Sequence, residues 1–307
     1  MLDETATGVF TIAVTPFLPD GAIDFDSIDR MVDFYLAKGA SGLTVLGMMG
    51  EAGKLSAQEA EAVVLRVLAR STVPVVVGVS APGFAQMKTL SDAVMQAGAA
   101  GVMVAPPSNL RSDDQILTYF CNAAEALGDA PFVLQDFPLA TSVVISTKVI
   151  LQVVKQCPTC VMLKHEDWPG LDKLSALREA SDAGARRISI LCGNGGLFLP
   201  EEMLRGADGA MTGFAYPEMM AQVIMAHSNG DRDRALDLFD AYVPLIRYEG
   251  QPGLGLAIRK YTLAKRGAIA HATLRKPGPA LSAQTEAEID TLVARQERRL
   301  TAMDMPI

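Results

Sequence analysis

The 307-residue sequence is poor in the residues that build disulfide frameworks and zinc sites. It contains only four cysteines and three histidines. Four cysteines in a chain of this length do not form a disulfide scaffold, and a reducing compartment would leave them as thiols. Cys157 and Cys160 have the spacing of a redox or metal motif. Because there is no second cysteine pair, we favour two small buried side chains at a turn.

Basic residues are also scarce. Lys and Arg total 27 against 35 Asp and Glu, which gives a net charge of −8 at pH 7 and argues against a nucleic-acid partner. The longest apolar runs, such as residues 73–79, are far shorter than the roughly 20 residues needed to cross a bilayer, so we expect no membrane partner. The N-terminal segment carries two acidic residues, Asp3 and Glu4, where a secretory signal would be basic. We therefore expect a cytoplasmic protein.

Half of the residues are hydrophobic, and their distribution is typical of repeated β/α units. Short apolar or β-branched segments alternate with longer amphipathic segments. The candidate strands begin near Phe10, Leu43, Val75, Gly101, Pro131, Cys160, Ile188 and Gly209. Eight such units with no linker between them predict an α/β fold, the closed (β/α)8 TIM barrel. A dinucleotide-binding fold is not supported, because no Gly-x-Gly-x-x-Gly follows the first strand.

Helical patterns fill the intervals between strands and continue beyond the eighth strand. The patterns between strands cover residues 26–37, 56–70, 112–127, 146–156 and 171–183. Four more follow the last strand, over residues 217–229, 231–247, 254–266 and 283–303. We therefore predict a barrel over residues 1–230 and a C-terminal helical region over residues 231–307 packed on it. This region is expected to cover the barrel or to form a subunit contact, and direct participation in the chemistry is the alternative.

Lys164 is the strongest candidate for a reactive side chain. Active sites of these barrels lie at the carboxyl ends of the strands, and Lys164 directly follows the apolar residues Val161–Leu163. Apolar surroundings lower the pKa of a lysine, and the neutral amine can attack a carbonyl to form an imine. The alternative interpretation is a salt-bridge partner. Lys54, in the loop after strand two, is another plausible site lysine.

Two glycine-rich loops follow other strands. The loop Gly47–Glu51 can bring backbone N–H groups together as a nest for a carboxylate or phosphate, although a plain turn is the alternative. The loop Gly193–Gly196 follows strand seven, where barrels often bind phosphate, so a sugar-phosphate isomerase is a rival hypothesis. That rival is weakened because no arginine or lysine lies between Arg187 and Arg205.

Taken together, these loops and Lys164 resemble the dihydrodipicolinate synthase/N-acetylneuraminate lyase family of class I aldolases, over essentially the whole chain. Residues 15–17 are similar to the family's Thr-Pro signature after strand one, and Gly47–Glu51 is similar to its Gly-Thr-Thr-Gly-Glu loop. Pro138 is similar to the proline that closes strand five, Lys164 to the imine-forming lysine, and Gly193 to the glycine after strand seven.

The resemblance implies a class I lyase, either an aldolase or a dehydratase, that needs no metal and no organic cofactor. Lys164 would form a Schiff base with pyruvate or another 2-oxo acid, whose carboxylate would bind the backbone amides of Met48 and Met49. The other implied substrate contacts are Gly47, Gly50, Ser108, Phe137, Gly193 and Met211. A homo-oligomer, dimer or tetramer, is also implied. The alternative is an impaired family member that binds a 2-oxo acid without turnover.

The sequence departs from the family pattern in the residues that move protons. Gln135 stands where the family has a tyrosine, three residues before the strand-five proline. We place Gln135 beside Lys164 in the catalytic pair, although a carboxamide can bind substrate but cannot act as an acid or base. Met48 and Met49 replace two threonines, and Ser108 replaces a second tyrosine.

Several groups remain as candidates for proton transfer. Alternation along strands predicts that Asp136 and His165 face away from the site, whereas Glu166 shares the side of Lys164. Ser108 or an ordered water is an alternative to Glu166, and the sequence does not decide among them.

The expected substrate also differs from that of the synthases. Ala140 stands where the synthases have an arginine that binds the carboxylate of the second substrate, so authentic dihydrodipicolinate synthesis is not expected. Met48, Met49, Phe137 and Phe214 predict a less polar second substrate, unless these side chains belong to the core and face away from the site.

Overall fold

The computed structural model describes residues 1–168 and 170–303. Within them, eight parallel strands follow one another around a closed barrel, and the eighth pairs with the first. The strands are β1 (Gly8–Ile12), β2 (Gly42–Val45), β3 (Val75–Gly78), β4 (Gly101–Val104), β5 (Phe132–Asp136), β6 (Cys160–His165), β7 (Ser189–Cys192) and β8 (Gly209–Ala210). The predicted (β/α)8 barrel is confirmed, and each strand begins within about two residues of its predicted start.

Helices connect the strands and extend past the barrel. Those in the described residues are α1 (Phe25–Ala37), α2 (Ala57–Arg70), α3 (Phe84–Gln96), α4 (Asp113–Leu127), α5 (Pro138–Thr141), α6 (Thr147–Gln156), α7 (Leu171–Asp182), α8 (Leu199–Leu204), α9 (Pro217–Ser228), α10 (Arg232–Glu249), α11 (Gly255–Lys265) and α12 (Ala283–Ala302). The predicted helical patterns do not include α3, α5 and α8. Helices α5 and α8 have only one or two turns, which is too short to show a helical repeat.

Apolar side chains pack on both sides of the barrel wall. The outer layer lies between strands and helices, and the inner layer fills the barrel with side chains that include Phe10, Ile12, Val76, Met103, Val133, Met162, Leu191 and Met211. Alternation along β6 therefore places Met162 inside the barrel and Leu163 outside. Lys164 follows on the inner side.

Phe214 belongs to the core and faces away from the predicted site, which is the alternative interpretation given for it from the sequence and not the preferred prediction. It is buried in the outer layer, and its ring packs against that of Tyr242 with the ring centroids 6.2 Å apart. The reason is that β8 ends at Ala210, so strand alternation no longer determines the direction of a side chain four residues later.

The C-terminal helices pack on the barrel and on one another. Helix α10 contacts α9, α11 and α12, and Lys260 of α11 donates a hydrogen bond to the carbonyl oxygen of Thr15, beyond β1. The division into residues 1–230 and 231–307 stays a prediction, and residues 304–307 of that region lie outside the described residues. In the ranges 1–168 and 170–303, no helix is both long and apolar enough to span a membrane.

Candidate active site

Lys164 and Glu166 form an ion pair at the carboxyl ends of the strands, here called the barrel mouth. The Nζ atom of Lys164 lies 2.8 Å from Oε2 of Glu166, and each residue is 5% exposed. Glu166 directly follows β6 and continues its ladder, because its N–H donates to the carbonyl oxygen of Asp136 at 2.8 Å. Alternation therefore still applies, and the predicted placement of Glu166 on the side of Lys164 is confirmed. Lys164 therefore has a carboxylate partner in addition to its apolar neighbours, as the alternative interpretation of this lysine predicts.

Gln135 joins this pair from the adjacent strand. It stands in register with Lys164 across β5 and β6, is 3% exposed, and donates from Nε2 to Oε2 of Glu166 at 2.8 Å. One carboxylate oxygen thus accepts the Gln135 hydrogen bond and forms the ion pair with Lys164. Asp136 and His165 point to the outer side of the wall, as predicted, where they lie near each other and near Lys173.

Gly193 provides the space that the Glu166 side chain occupies. A Cβ atom at Gly193 would lie 2.1 Å from Cγ and 2.6 Å from Cδ of Glu166, which is far inside contact distance. The next residue, Asn194, donates from Nδ2 to the carbonyl oxygen of Glu166 at 3.2 Å. The loop after β7 therefore determines where the Glu166 carboxylate can lie.

The loop Gly47–Glu51 forms a 3-10 turn over Met48–Gly50 at the mouth. Within the described parts of the chain, the backbone N–H groups of Met48 and Met49 donate to no acceptor, whereas the N–H groups of Gly50 and Glu51 close the turn. Thr15 donates from its hydroxyl to the carbonyl oxygen of Gly50 at 2.6 Å. Two adjacent free N–H groups are the feature that an anion-binding nest requires.

The remaining predicted contacts are spread around this centre. Met211 is fully buried in the inner layer of the barrel, and Phe137 is half-buried before α5. Ser108 is exposed in the loop after β4. Met48 is 48% exposed, whereas Met49 packs against the inner layer.

A second cluster of titratable side chains lies behind the mouth, on the outer side of β6, where Asp136 and His165 are joined by Lys173 and Glu202, which the sequence pattern does not predict. His165 hydrogen-bonds through Nε2 to the carbonyl oxygen of Gly170 at 2.9 Å. Burial lowers the pKa of His165, but the Asp136 carboxylate, the hydrogen bond with Gly170 and the charge of Glu202 together raise it, and the net pKa shift is upward. Burial raises the pKa of Glu202, on α8, to about 7. An acidic residue in a short apolar helix is the only sequence signal of this cluster.

Two aromatic side chains in neighbouring loops were also missed. Trp168, after β6, packs against Phe198, after β7, with ring centroids 4.9 Å apart. Trp168 is 44% exposed. Because both loops follow the carboxyl ends of their strands, this pair forms part of the rim of the mouth.

The cysteine motif lies at the amino end of β6, away from the mouth. Burial raises the pKa values of Cys157 and Cys160 to about 12, so both remain thiols near neutral pH. Both are buried and free, as the preferred interpretation predicts. In residues 1–168 and 170–303, no group of three or more His, Cys, Asp or Glu side chains is arranged to hold a metal ion.

Comparison with known proteins identifies the family. The sequence profile of the dihydrodipicolinate synthetase family matches residues 5–296. A 4-hydroxy-tetrahydrodipicolinate synthase from Sorangium cellulosum is 36% identical over 212 residues, which cover 67% of this chain and 68% of the relative. An L-2-keto-3-deoxyarabonate dehydratase from Azospirillum brasilense is 28% identical over 301 residues, covering 94% of each chain. The crystal structure of dihydrodipicolinate synthase from Rhodopseudomonas palustris has a TM-score of 0.95 and 56% identity, covering 96% of this chain and 99% of that chain. This chain therefore belongs to the dihydrodipicolinate synthetase family and is a lyase of that family.

Proposed function

We propose that this lyase forms an imine between Lys164 and a 2-oxo acid, and that Glu166 moves the protons. The observation that carries the proposal is the 2.8 Å contact between Lys164 Nζ and Glu166 Oε2 at the barrel mouth. Enzymes of this family use a lysine Schiff base with pyruvate and need no cofactor. The pair supplies both a nucleophile and an adjacent base, which is what imine chemistry requires.

The proposed reaction begins with transfer of a proton from the Lys164 ammonium to Glu166. The neutral amine attacks C2 of the 2-oxo acid. A C–N bond forms, the π electrons of the carbonyl move to its oxygen, and a proton passes from the nitrogen to that oxygen, which gives a carbinolamine. Glu166 then donates its proton to the departing hydroxyl, which leaves as water, and an iminium ion results. The Glu166 carboxylate next accepts a proton from C3, and the electrons of that C–H bond move into the iminium to give the enamine.

Glu166 is favoured over the other candidates by position. Ser108 is exposed in the loop after β4, and Asp136 and His165 contact groups on the outer side of the wall. Gln135 cannot exchange a proton near neutral pH, so its proposed role is to orient the carboxylate through its 2.8 Å hydrogen bond.

The free N–H groups of Met48 and Met49 are the proposed site for the substrate carboxylate. Ala140, exposed on α5, offers no charge to a second carboxylate. Apolar side chains at the rim, including Phe137 and Trp168, favour a substrate whose second half is uncharged. We therefore propose cleavage or formation of a C–C or C–O bond in pyruvate or another 2-oxo acid, in a reaction other than authentic dihydrodipicolinate synthesis.

A screen of 2-oxo acids with aliphatic, aromatic and sugar-acid tails tests the proposal. We expect turnover of at least one compound, and we expect Lys164→Ala to abolish it. Lys155→Ala, an exposed lysine on α6, is the matched control and should retain full activity. Full activity of Lys164→Ala would contradict the imine mechanism. Trapping of an adduct without any turnover would instead indicate a protein that only binds 2-oxo acids.

We also propose a cytoplasmic homo-oligomer, a dimer or a tetramer, as the family resemblance implies. Sedimentation of the purified chain at micromolar concentration tests the assembly. A single species with the mass of one chain would contradict it.

A further inference from the structure

Lys260, on α11, is a buried cation that the proposed reaction does not use. Its side chain is 0% exposed, and its ammonium donates to Oε1 of Glu51 at 2.5 Å, to the carbonyl oxygen of Thr15 at 2.7 Å and to that of Thr273 at 2.9 Å. An ammonium has three donors, and here each has an acceptor. Because an unpaired buried charge is strongly disfavoured, this complete set of partners indicates a specific position for Lys260.

Its main partner, Glu51, is the last residue of the loop Gly47–Glu51 at the barrel mouth, and the backbone of Glu51 is strained. The backbone of Glu51 has φ +55°, in the left-handed region that residues other than glycine rarely adopt. Its carboxylate accepts from Lys260, from Lys54 Nζ at 2.8 Å and from the backbone N–H of Arg275 at 3.0 Å. Two of these three donors come from the C-terminal region. Contacts from that region therefore hold the end of the loop in place.

Lys260 also reaches the loop by a second route. The carbonyl oxygen of Thr15 accepts from Lys260, and the hydroxyl of the same residue donates to the carbonyl oxygen of Gly50 at 2.6 Å. The turn held in this way carries the free N–H groups of Met48 and Met49. Their convergence depends on the backbone conformation of the turn.

We infer that Lys260 is a positioning residue for the substrate carboxylate, acting through Glu51 and Thr15 on the N–H groups of Met48 and Met49. The inference rests on the proposed function, since it takes a 2-oxo acid as the ligand. It gives the C-terminal helical region a part in substrate binding in addition to covering the barrel.

Lys260→Met tests the inference through a comparison of two ketones. Pyruvate carries the carboxylate, and acetone lacks it. We expect the pyruvate concentration needed for half-maximal borohydride trapping at Lys164 to rise roughly ten- to a hundredfold, as for a small misplacement of a binding group. Trapping of acetone should keep its concentration dependence. An equal rise in the half-maximal concentration of both ketones, or no rise in that of pyruvate, would overturn the inference.

Lys265→Met is the matched control, because Lys265 is on the same helix and forms an exposed pair with Asp290. The concentration dependence of trapping at Lys164 in Lys265→Met should match that of the unsubstituted protein for both ketones. Glu51→Gln provides a second variant that preserves side-chain shape if Lys260→Met does not fold. We expect the same selective loss of pyruvate trapping, and wild-type trapping of pyruvate by Glu51→Gln would also overturn the inference.

Hydrogen exchange separates failure of this inference from failure of the proposed function. Peptides covering residues 45–51 should exchange faster in Lys260→Met than in Lys265→Met, whether or not an imine forms. If the unsubstituted protein traps neither ketone, the proposed function fails. Faster exchange in Lys260→Met would then still support the inference that Lys260 stabilises the loop Gly47–Glu51. Unchanged exchange would contradict that inference.

Discussion

One oxygen of Glu166 lies 2.8 Å from the Lys164 ammonium nitrogen and accepts the Gln135 amide hydrogen bond at the same distance. The two charged residues project to the same side of β6 because they are two positions apart. This relationship places a carboxylate beside Gln135, the residue that stands where the family resemblance leads one to expect a tyrosine. It also makes the transfer of protons testable separately from the formation of the imine.

Glu166→Gln should separate these two steps. Glutamine has nearly the same shape but cannot exchange protons, so we expect the exchange of pyruvate C3 protons with deuterated water to slow by about 10²- to 10⁴-fold. Proton NMR measures this rate. The Lys164 adduct should still accumulate, but more slowly, because water can replace Glu166 in the proton transfers of imine formation. Glu179→Gln, an exposed substitution on α7, is the control. Exchange at the wild-type rate in Glu166→Gln would show that another group moves the proton.

Gln135→Leu should lower turnover without preventing the adduct. It removes a buried hydrogen bond to a charged group, a type of interaction that contributes about 1.5–3 kcal/mol. If that energy is used to orient Glu166, kcat should fall by roughly one to two orders of magnitude. Steady-state kinetics with a substrate from the 2-oxo acid screen measures the change. An unchanged kcat would mean that Glu166 is oriented without Gln135.

Gly193→Ala should displace Glu166, because the new methyl group would lie 2.1 Å from Cγ of that side chain. We expect turnover to fall at least about tenfold and the free energy of unfolding to fall by about 1–3 kcal/mol, as for other overpacked sites. Gly83→Ala is the control, since no atom lies within 4 Å of its added Cβ. The hypothesis would be wrong if Gly193→Ala kept wild-type turnover in a folded protein.

Stability should fall as pH rises from about 4.5 to about 7 because of Glu202. Burial raises the pKa of this carboxyl from 4.5 to about 7 in the folded state. Its stabilising contribution is therefore complete below about pH 4.5 and is lost as pH rises through 7, by roughly 3 kcal/mol. The upward pKa shift of His165 has the same sign. Denaturant titrations between pH 5 and 8 should show a weaker pH dependence for Glu202→Gln, and an identical pH dependence would contradict the assignment.

Local sequence patterns predict the barrel and part of the site for a clear physical reason. Strands buried on both faces are short apolar runs, and alternation with period two is sufficient to assign Lys164 and Glu166 to one side. The same rule fails for Phe214, which lies four residues past the end of β8.

Contacts between distant segments are not visible in such patterns. Lys260 and Glu51 are 209 positions apart, and nothing in the helical pattern of α11 distinguishes Lys260 from a surface lysine. The ion pair between Lys164 and Glu166 is likewise not predicted, because alternation gives the side of the wall but not the distance between two charged groups. The space at Gly193 that admits Glu166 also depends on the neighbouring strand.

The most direct test of imine formation is borohydride reduction in the presence of pyruvate, followed by peptide mass spectrometry. We predict one reduced pyruvate adduct on the peptide that contains Lys164, and none in Lys164→Ala. An adduct confined to another lysine, such as Lys54, or no adduct across the panel of 2-oxo acids, would contradict the proposed mechanism.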